Sequence, residues 1–309
     1  MKAIYDVSAP AKLNLFLHIT GRRNDGYHLL QSVFMLIDWC DHLHFGLRRD
    51  GQISREDLVG QLPADDLIVQ AARALQKAAN CPRGAHIGVE KFIPAQAGMG
   101  GGSSDAASTL LALNRLWQLN LPLSELLKIG LSLGADVPFF LQGQNAWVES
   151  IGETITPVCV PSARFVVIKP PDGLETARIF QSKALKRDTA TAIIAGFAEK
   201  PFEFGCNDLQ GVAQSLSPGV NQGLAWLEAQ GLKGRMTGSG SAVYARVDDK
   251  VIDKLIDSLI DKGGTVSVLE SPPGSDFSTA SLSLKAVPAG FEMRVCGNLQ
   301  GHPLAGWAT

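Results

Sequence analysis

Apolar positions along the chain follow two spacings, and both halves contain each of them. From residue 12 to residue 19, leucines alternate with other residues such as Asn14 and His18, which predicts a strand with one buried face. After a glycine-rich segment, Ala106, Leu110 and Leu113 recur at helical spacing and predict a helix over 104–117. Further strands are predicted at 29–37, 85–92, 164–168 and 242–247, and further helices at 65–79, 124–133, 220–230 and 249–261.

Strands and helices are mixed in both halves, without the strict alternation that marks a doubly wound parallel sheet. This mixture predicts an α+β fold with helices grouped on one face of each sheet. The chain becomes rich in Pro and Val at 157–161, just before a new strand pattern, so we predict two domains, 1–158 and 159–309. Gly134 follows the helix predicted at 124–133 and is expected to be its left-handed C-cap.

Composition and charge narrow the classes of protein. The chain has 309 residues, 45% hydrophobic and 19% charged, as is typical of a globular enzyme of about two domains. A net charge of −2 offers no bulk attraction to nucleic acid or to an anionic membrane, and neither partner is predicted. Five cysteines without a C-x-x-C pair, no signal-peptide core and no long apolar stretch predict free thiols and a cytoplasmic location.

A glycine run at 100–102 is the strongest single chemical signal. Glycine permits positive φ and lets a ligand approach the backbone N–H groups, and this run leads directly into a predicted helix. The free N–H groups and the positive dipole end of such a helix favour a phosphate. Ser103 and Ser104 add hydroxyls that can cap the helix, contact phosphate or bind Mg²⁺. A flexible surface loop is the alternative interpretation.

Three widespread nucleotide-binding motifs do not fit this loop. A Walker A motif ends in Gly-Lys followed by Ser or Thr, and the chain contains no Gly-Lys pair. A dinucleotide-binding fingerprint requires a third glycine where Ser103 stands. The His-Arg-Asp and Asp-Phe-Gly signatures of protein kinases are also absent. The pattern therefore predicts a Gly-Ser phosphate loop of another type.

Three separated motifs resemble those of the GHMP kinase superfamily. They are Pro10-Ala11-Lys12-Leu13-Asn14-Leu15, the stretch from Pro94 to Ser104, and Thr237-Gly238-Ser239-Gly240-Ser241. Further segments resemble the branch of the superfamily that phosphorylates an alcohol carrying a cytidine diphosphate group. These are Asp25-Gly26-Tyr27-His28, Leu133-Gly134-Ala135-Asp136-Val137-Pro138, Asn207-Asp208 and His302-Pro303-Leu304. The resemblance departs at Asp105, where relatives often carry asparagine.

The resemblance implies a two-domain GHMP kinase fold, with an N-terminal domain like ribosomal protein S5 domain 2 and a ferredoxin-like C-terminal domain. It implies that ATP, with Mg²⁺, binds between the domains. The implied reaction phosphorylates the 2-hydroxyl of a methylerythritol alcohol, a step in non-mevalonate isoprenoid precursor synthesis. The implied partner is therefore a small-molecule substrate with a cytidine diphosphate group, and we expect a monomer or a weak homodimer.

The family's functional positions map onto this chain residue by residue. Lys12 and Asp136 are implied to be catalytic: Lys12 would stabilise charge, and Asp136 would orient or deprotonate the acceptor hydroxyl. The implied ATP-binding residues are Pro94, Ala95, Gln96, Ala97, Gly98, Met99, Gly100, Gly101, Gly102, Ser103 and Ser104. The implied substrate-binding residues are Asn14, Tyr27, His28, Thr176 and Phe180. Gly238, Ser239 and Gly240 would support the site, and Mg²⁺ would be held through ATP and Ser104.

Local sequence alone leaves simpler interpretations open. Asp136 before a turn is commonly a backbone cap, and a lone lysine such as Lys12 at a strand edge is commonly solvated. The aromatic rings of Tyr27 and Phe180 could serve in core packing. Two other functions also stay open: a different kinase of the superfamily, such as a homoserine or mevalonate kinase, and a silent nucleotide-binding module.

Overall fold

The computed structural model describes residues 2–261, 265–269, 281–285 and 290–308, which form two six-stranded sheets with accompanying helices. The strands are β1 (Ala3–Arg22), β2 (His28–Arg48), β3 (Ile53–Val59), β4 (Gly84–Glu90), β5 (Ala146–Ser150), β6 (Thr154–Pro157), β7 (Arg164–Lys169), β8 (Arg235–Met236), β9 (Val243–Val247), β10 (Thr265–Leu269), β11 (Ser281–Lys285) and β12 (Glu292–Gly297). The helices are α1 (Leu67–Ala78), α2 (Gly101–Leu116), α3 (Leu123–Leu133), α4 (Val137–Gln142), α5 (Thr176–Gln181), α6 (Ile194–Glu199), α7 (Gln210–Leu216), α8 (Pro218–Ala229) and α9 (Asp249–Asp261).

The two sheets follow one another along the chain. The first has the order β3-β4-β2-β5-β6, and β1 pairs with β2. Its strand pairs are antiparallel except β3 with β4, which is parallel. The second sheet has the order β10-β11-β12-β7-β9-β8 and is antiparallel. The first sheet ends at Pro157 and the second begins at Arg164, while the domain division at 158/159 stays a prediction.

Three apolar cores hold these layers together. One lies between the first sheet and helices α1–α4, and a second lies between the second sheet and α7–α9. The third lies between the two sheets, where Leu13 and Phe16 of β1 join Phe165 and Tyr244 of the second sheet. The prediction of an α+β fold is confirmed, and α1–α4 and α7–α9 each lie on one face of a sheet. Helix α6 is an exception, because its Phe197 packs in the layer between the sheets.

The prediction that β1 has only one buried face is wrong. Asn14 is 1% exposed and His18 is 8% exposed, although both were assigned to the polar side of the strand. Helix α2 covers one side of β1 and the second half of the chain covers the other, so polar side chains are enclosed as well. A buried amide is tolerated because it is hydrogen-bonded, and the Asn14 side chain contacts both Lys12 and Ser32.

The left-handed conformation predicted for Gly134 is also wrong. Its φ is 175° and its ψ is 151°, which is extended backbone. The chain needs this extended link because α4 begins only three residues later, at Val137. The link places Asp136 at the N-terminus of α4, with no capping hydrogen bond from its side chain.

Two further expectations can be compared with the structure. The five cysteines, all of which lie within the described residues, form no disulfide with one another. Among the described residues, no helix combines the length and apolar character that a membrane span requires.

Candidate active site

A cavity of about 880 Å³ opens between the first sheet, α2 and the start of α5. Its lining contains most of the residues that the motifs single out. From the predicted ATP-binding set it includes Pro94, Ala95, Gln96, Ala97, Gly98, Met99, Gly100, Gly101, Gly102 and Ser103. From the remaining predicted site residues it includes Lys12, Asn14, Asp136, Thr176, Phe180, Gly238, Ser239 and Gly240.

The glycine-rich loop reaches the cavity as the N-terminus of α2. Gly98 and Gly100 both have φ of 73°, a left-handed conformation that glycine adopts without strain. Gly100 is the N-cap of α2 and supplies no side-chain cap. Because the first N–H groups of a helix have no partner within it, those of α2 are directed at the cavity and can bind an anion.

The second glycine loop packs backbone to backbone against the first. A Cβ atom on Gly98 would lie 2.3 Å from the carbonyl oxygen of Thr237, and one on Gly238 would lie 2.6 Å from that of Gly98. Backbone hydrogen bonds from Ser241 N to Gln96 O (3.1 Å) and from Ala242 N to Ala97 O join the loops. The phosphate loop is therefore supported by residues about 140 positions away.

Lys12 lies below this loop as a buried cation. Its backbone N donates to Met99 O at 2.9 Å, and its Nζ donates to Asn14 Oδ1 at 2.5 Å. Its Nζ also lies 3.7 Å from Asp136 Oδ2 and 4.4 Å from the centre of the Phe34 ring. The structure thus places the predicted ammonium and carboxylate side by side at the phosphate loop.

Burial and charge act in opposite directions on Lys12. Its side chain is 4% exposed, and this desolvation lowers the pKa of Lys12 below the usual 10.5. The charge of Asp136 and its hydrogen bond raise the pKa again in part. Asp136 is more accessible, with 31% of its side chain exposed, so it can meet a hydroxyl group entering the cavity.

Asn14 orients the ammonium as well as lining the cavity. Its Nδ2 donates to Ser32 Oγ at 2.8 Å, while its Oδ1 accepts from Lys12. The hydroxyl of Thr237 accepts from the Asn14 backbone N at 2.9 Å. Sequence reasoning did not predict that Ser32 and Phe34 contact Asn14 and Lys12. The residues next to them along a buried strand do not indicate which side chains from other strands they meet.

The predicted substrate residues fall into two groups. Thr176 lies at the start of α5, where its Oγ1 is 2.7 Å from Ser239 Oγ at the cavity wall. Phe180 lines the same cavity, and its ring centre lies 4.9 Å from that of His28. Tyr27 and His28 lie beyond the lining, at the start of β2, and the Tyr27 side chain is exposed.

The two serines at the start of α2 have different surroundings. Ser103 lines the cavity, and a Cβ on Gly134 would lie 3.8 Å from its Oγ, close to the link that carries Asp136. Ser104 is fully buried, its Oγ has no hydrogen-bond partner, and it does not line the cavity. The lining thus contains Ser103 and not Ser104, while the role of Ser104 in holding Mg²⁺ stays a prediction.

A charge cluster that sequence reasoning missed lies at the wall of the same cavity, whose lining includes Lys91 and Asp105. Lys91 Nζ forms ion pairs with Asp41 Oδ2 and with Asp105 Oδ2, the latter at 2.6 Å. Asp41 Oδ1 also accepts from the backbone N of Phe92 (2.6 Å) and Ile93 (2.8 Å). Asp105, noted above as a departure from related sequences, thus shares one ammonium with a second carboxylate.

Comparison with known proteins agrees with this geometry. The model of the GHMP kinases N terminal domain matches residues 66–144, and that of the GHMP kinases C terminal matches residues 190–265. Two curated relatives are both named 4-diphosphocytidyl-2-C-methyl-D-erythritol kinase. The protein from Albidiferax ferrireducens is 61% identical over 100% of this chain and 97% of its own. The one from Variovorax paradoxus is 58% identical over 100% of both.

Solved structures give the same answer. A crystal structure of 4-(cytidine 5'-diphospho)-2C-methyl-D-erythritol kinase superposes with a TM-score of 0.70 at 31% identity, covering 82% of this chain and 94% of that one. Homoserine kinase from Cytophaga hutchinsonii, at 16% identity and a TM-score of 0.64 over 85% and 90% of the two chains, shares the fold. The chain therefore belongs to the 4-diphosphocytidyl-2-C-methyl-D-erythritol kinase family of the GHMP kinase superfamily.

Proposed function

We propose that this protein transfers the γ-phosphoryl group of ATP to the 2-hydroxyl of 4-diphosphocytidyl-2-C-methyl-D-erythritol, with Lys12 and Asp136 at the reacting atoms. The observation that carries the proposal is the distance of 3.7 Å between Lys12 Nζ and Asp136 Oδ2 beside a helix N-terminus. Simple nucleotide binding would require neither group, whereas phosphoryl transfer uses both a cation and a carboxylate.

The nucleotide's phosphates would lie on the loop from Pro94 to Ser103. The free N–H groups at the start of α2 and the left-handed Gly98 and Gly100 make a concave anion site without side chains in the way. The described part of the chain contains no cluster of three His, Cys, Asp or Glu side chains that could hold a metal ion. This fits Mg²⁺ that is bound mainly through ATP and water, with the Ser103 hydroxyl in the cavity lining as a candidate ligand.

Mg²⁺ bound with the nucleotide would neutralise charge on the phosphates. The residues of this chain act on the acceptor and on the transferred group. Asp136 would accept a hydrogen bond from the acceptor hydroxyl and take its proton as the new O–P bond forms. Lys12 would hold its positive charge close to the transferring phosphoryl oxygens, and Asn14 would keep the ammonium in that position.

The acceptor's cytidine diphosphate end would extend from the cavity towards the start of β2. Phe180 and the exposed ring of Tyr27 are proposed to stack on the cytosine, and His28 is proposed to hydrogen-bond its edge. Thr176 with Ser239 would contact hydroxyl or phosphate oxygens between the base and the reacting end. Homoserine and mevalonate contain no base, so neither could use these aromatic side chains.

A coupled ADP-release assay with purified protein tests the proposal. The parent is expected to turn over the cytidine substrate, and to release no ADP above background with homoserine or mevalonate. Asp136→Asn is expected to lower kcat at least ~100-fold, the scale of lost general-base catalysis. Asp65→Asn is the matched control, because Asp65 is 67% exposed and pairs only with Arg73 at the surface. Turnover of homoserine or mevalonate, or a parental kcat in Asp136→Asn, would contradict the proposal.

A further inference from the structure

One guanidinium group joins the side chain of His28 to the backbone of Phe180, two residues of the predicted base site. Arg187 lies in the segment 182–205, to which the sequence motifs assign no role. Its Nε donates to His28 Nε2 at 3.0 Å. Its Nη atoms donate to three backbone carbonyl oxygens, those of Leu185 (2.9 Å), Phe180 (3.0 Å) and Ser182 (2.8 Å).

This contact decides which nitrogen of His28 carries the proton. Arginine is a donor only, and it stays protonated, so the His28 Nε2 that faces it must be the acceptor. A neutral imidazole has one N–H, which therefore lies on Nδ1. Burial, with the charges of Arg187 and Arg22, lowers the pKa of His28 and keeps the ring neutral. No described residue is hydrogen-bonded to Nδ1, so that donor is available to a ligand.

The segment that carries Arg187 is itself anchored to the first sheet. Thr189 N donates to Ile19 O at 3.0 Å, and Ala192 N donates to Gln31 Oε1 at 2.8 Å. The segment that carries the guanidinium is therefore fixed to both β1 and β2.

A donor at this position distinguishes the two common pyrimidine bases. Cytosine offers two acceptors on its edge, N3 and O2, whereas uracil offers O2 but carries a hydrogen on N3. An Nδ1–H group facing N3 forms a hydrogen bond with cytosine and meets another donor in uracil. The opposite tautomer of His28 would reverse this preference, since its Nδ1 would be an acceptor.

We propose that Arg187 is a positioning residue that makes the site selective for cytosine over uracil, by holding His28 as the tautomer with the proton on Nδ1. The proposal rests on the proposed function, since it places the base of the acceptor substrate against His28. It goes beyond that function by naming the residue that makes His28 Nδ1 a hydrogen-bond donor, rather than an acceptor, towards the base.

The kinetic test compares the cytidine substrate with its uridine counterpart. Arg187→Met keeps an unbranched apolar side chain and removes the guanidinium donors. The kcat/KM for the cytidine substrate divided by that for the uridine substrate is expected to fall at least ~10-fold, the scale of one hydrogen bond. Lys183→Met is the control, because Lys183 is an exposed cation in the same segment, and its ratio should equal the parent's. An equal rise of KM for both substrates in Arg187→Met, with an unchanged ratio, would assign Arg187 a purely structural role and overturn the proposal.

A spectroscopic measurement on the parent protein tests the proposal even if Arg187→Met folds poorly. Ring ¹⁵N chemical shifts of histidine-labelled protein distinguish the two neutral tautomers, and the His28 signals among the six histidines are identified by their loss in His28→Gln. The expected result at pH 7.5 is a protonated Nδ1 and an unprotonated Nε2. A proton on Nε2 would overturn the proposal. This measurement needs no substrate, whereas turnover of the cytidine substrate by the parent tests the proposed function separately.

Discussion

At the residue scale, the proposed chemistry depends on a lysine that is buried beside a carboxylate. Lys12 is 3% exposed, which makes its ammonium costly to keep in the ionised form. The Asp136 carboxylate, the Asn14 amide oxygen and the face of the Phe34 ring surround the charge and offset part of that cost. A charge fixed in a region of low dielectric stabilises a developing anion more strongly than one in water.

The position of Lys12 predicts how kcat depends on pH. Because burial lowers its pKa, raising the pH through that lowered value removes the positive charge, so kcat is expected to fall on an alkaline limb centred below 10.5. Lys12→Arg should retain part of the activity and lose this limb, since an arginine stays charged over the whole range. Lys128→Arg, at an exposed pair with Glu125, is the control. An alkaline limb that persists unchanged in Lys12→Arg would assign it to another group.

The raised pKa of Asp105 leads us to expect that the free energy of unfolding depends on pH. Burial and the neighbouring Asp41 raise the pKa of Asp105 well above 3.8, although Lys91 acts in the opposite direction. The folded state then holds this proton more tightly than the unfolded state does. The contribution of Asp105 to the free energy of unfolding should therefore be fully present below pH 3.8 and be lost as the pH rises through the raised pKa.

Asp105→Asn should flatten that dependence, because an amide does not titrate. Urea unfolding of the parent and the variant between pH 5 and pH 8 measures the effect, with Asp253→Asn as a control at an exposed carboxylate. Parallel curves for the parent and Asp105→Asn would show that Asp105 stays ionised throughout this range.

At the element scale, two glycine loops that pack mainly through their backbones form the floor of the site. The phosphate loop precedes α2, and the second loop lies between β8 and β9. Their backbones approach so closely at Gly98 and Gly238 that neither position has room for a Cβ atom. The anion site therefore depends on contact between the two halves of the chain as well as on its own glycines.

Gly98→Ala tests this contact. The added methyl would meet the Thr237 carbonyl oxygen, and alanine is strained at φ of 73°, so the free energy of unfolding should fall by at least ~1 kcal/mol and KM for ATP should rise. Gly211→Ala in α7 is the matched control, because no atom of the described residues outside its own helix backbone and chain neighbours lies within 4 Å of the Cβ that alanine would add. There, alanine should be neutral or stabilise by ~0.5–1 kcal/mol. Equal stability and equal KM in both variants would exclude a tight contact at Gly98.

At the scale of the whole molecule, β1 connects the two halves. Tyr244 Oη donates to Asn14 O at 2.8 Å from the second sheet. Arg235 Nη1 donates to Leu15 O and, at 2.8 Å, to Phe204 O. The bonds to Asn14 and Leu15 join the second half of the chain to β1, so the strand that carries Lys12 is positioned by both halves at once.

Tyr244→Phe removes one of these cross-links without changing the ring. Burial raises the pKa of Tyr244 to about 12, so its hydroxyl keeps the proton it donates at every pH used in the assay. The variant should lose about 1 kcal/mol of unfolding free energy, the net value of one hydrogen bond, and kcat should fall several-fold as β1 relaxes. Tyr5→Phe, at a side chain 74% exposed, should change neither quantity. Urea unfolding and ADP release measure both, and an unchanged Tyr244→Phe protein would argue against β1 as the connecting element.

Elements with a long repeating pattern are the ones that local spacing predicts well. The helix predicted at 104–117 is α2 (Gly101–Leu116), and the one predicted at 249–261 is α9 (Asp249–Asp261). Helices α4 and α5 have six residues each, fewer than two turns, so no period emerges from them. The prediction for β1 was wrong because alternating apolar and polar residues indicate one solvent-exposed face. In the structure, the second half of the chain covers that face.

The amino-acid sequence alone determines which chemical groups are available and how the phosphate loop is built. Both depend on neighbouring residues only: glycines without a Cβ atom, serine hydroxyls and the spacing that starts a helix. The tertiary structure alone determines which of these side chains contact one another. Asn14 contacts Thr237 across 223 positions and His28 contacts Arg187 across 159. Such partners are selected when two sheets pack face to face, and that packing depends on the shape of whole layers rather than on any local pattern.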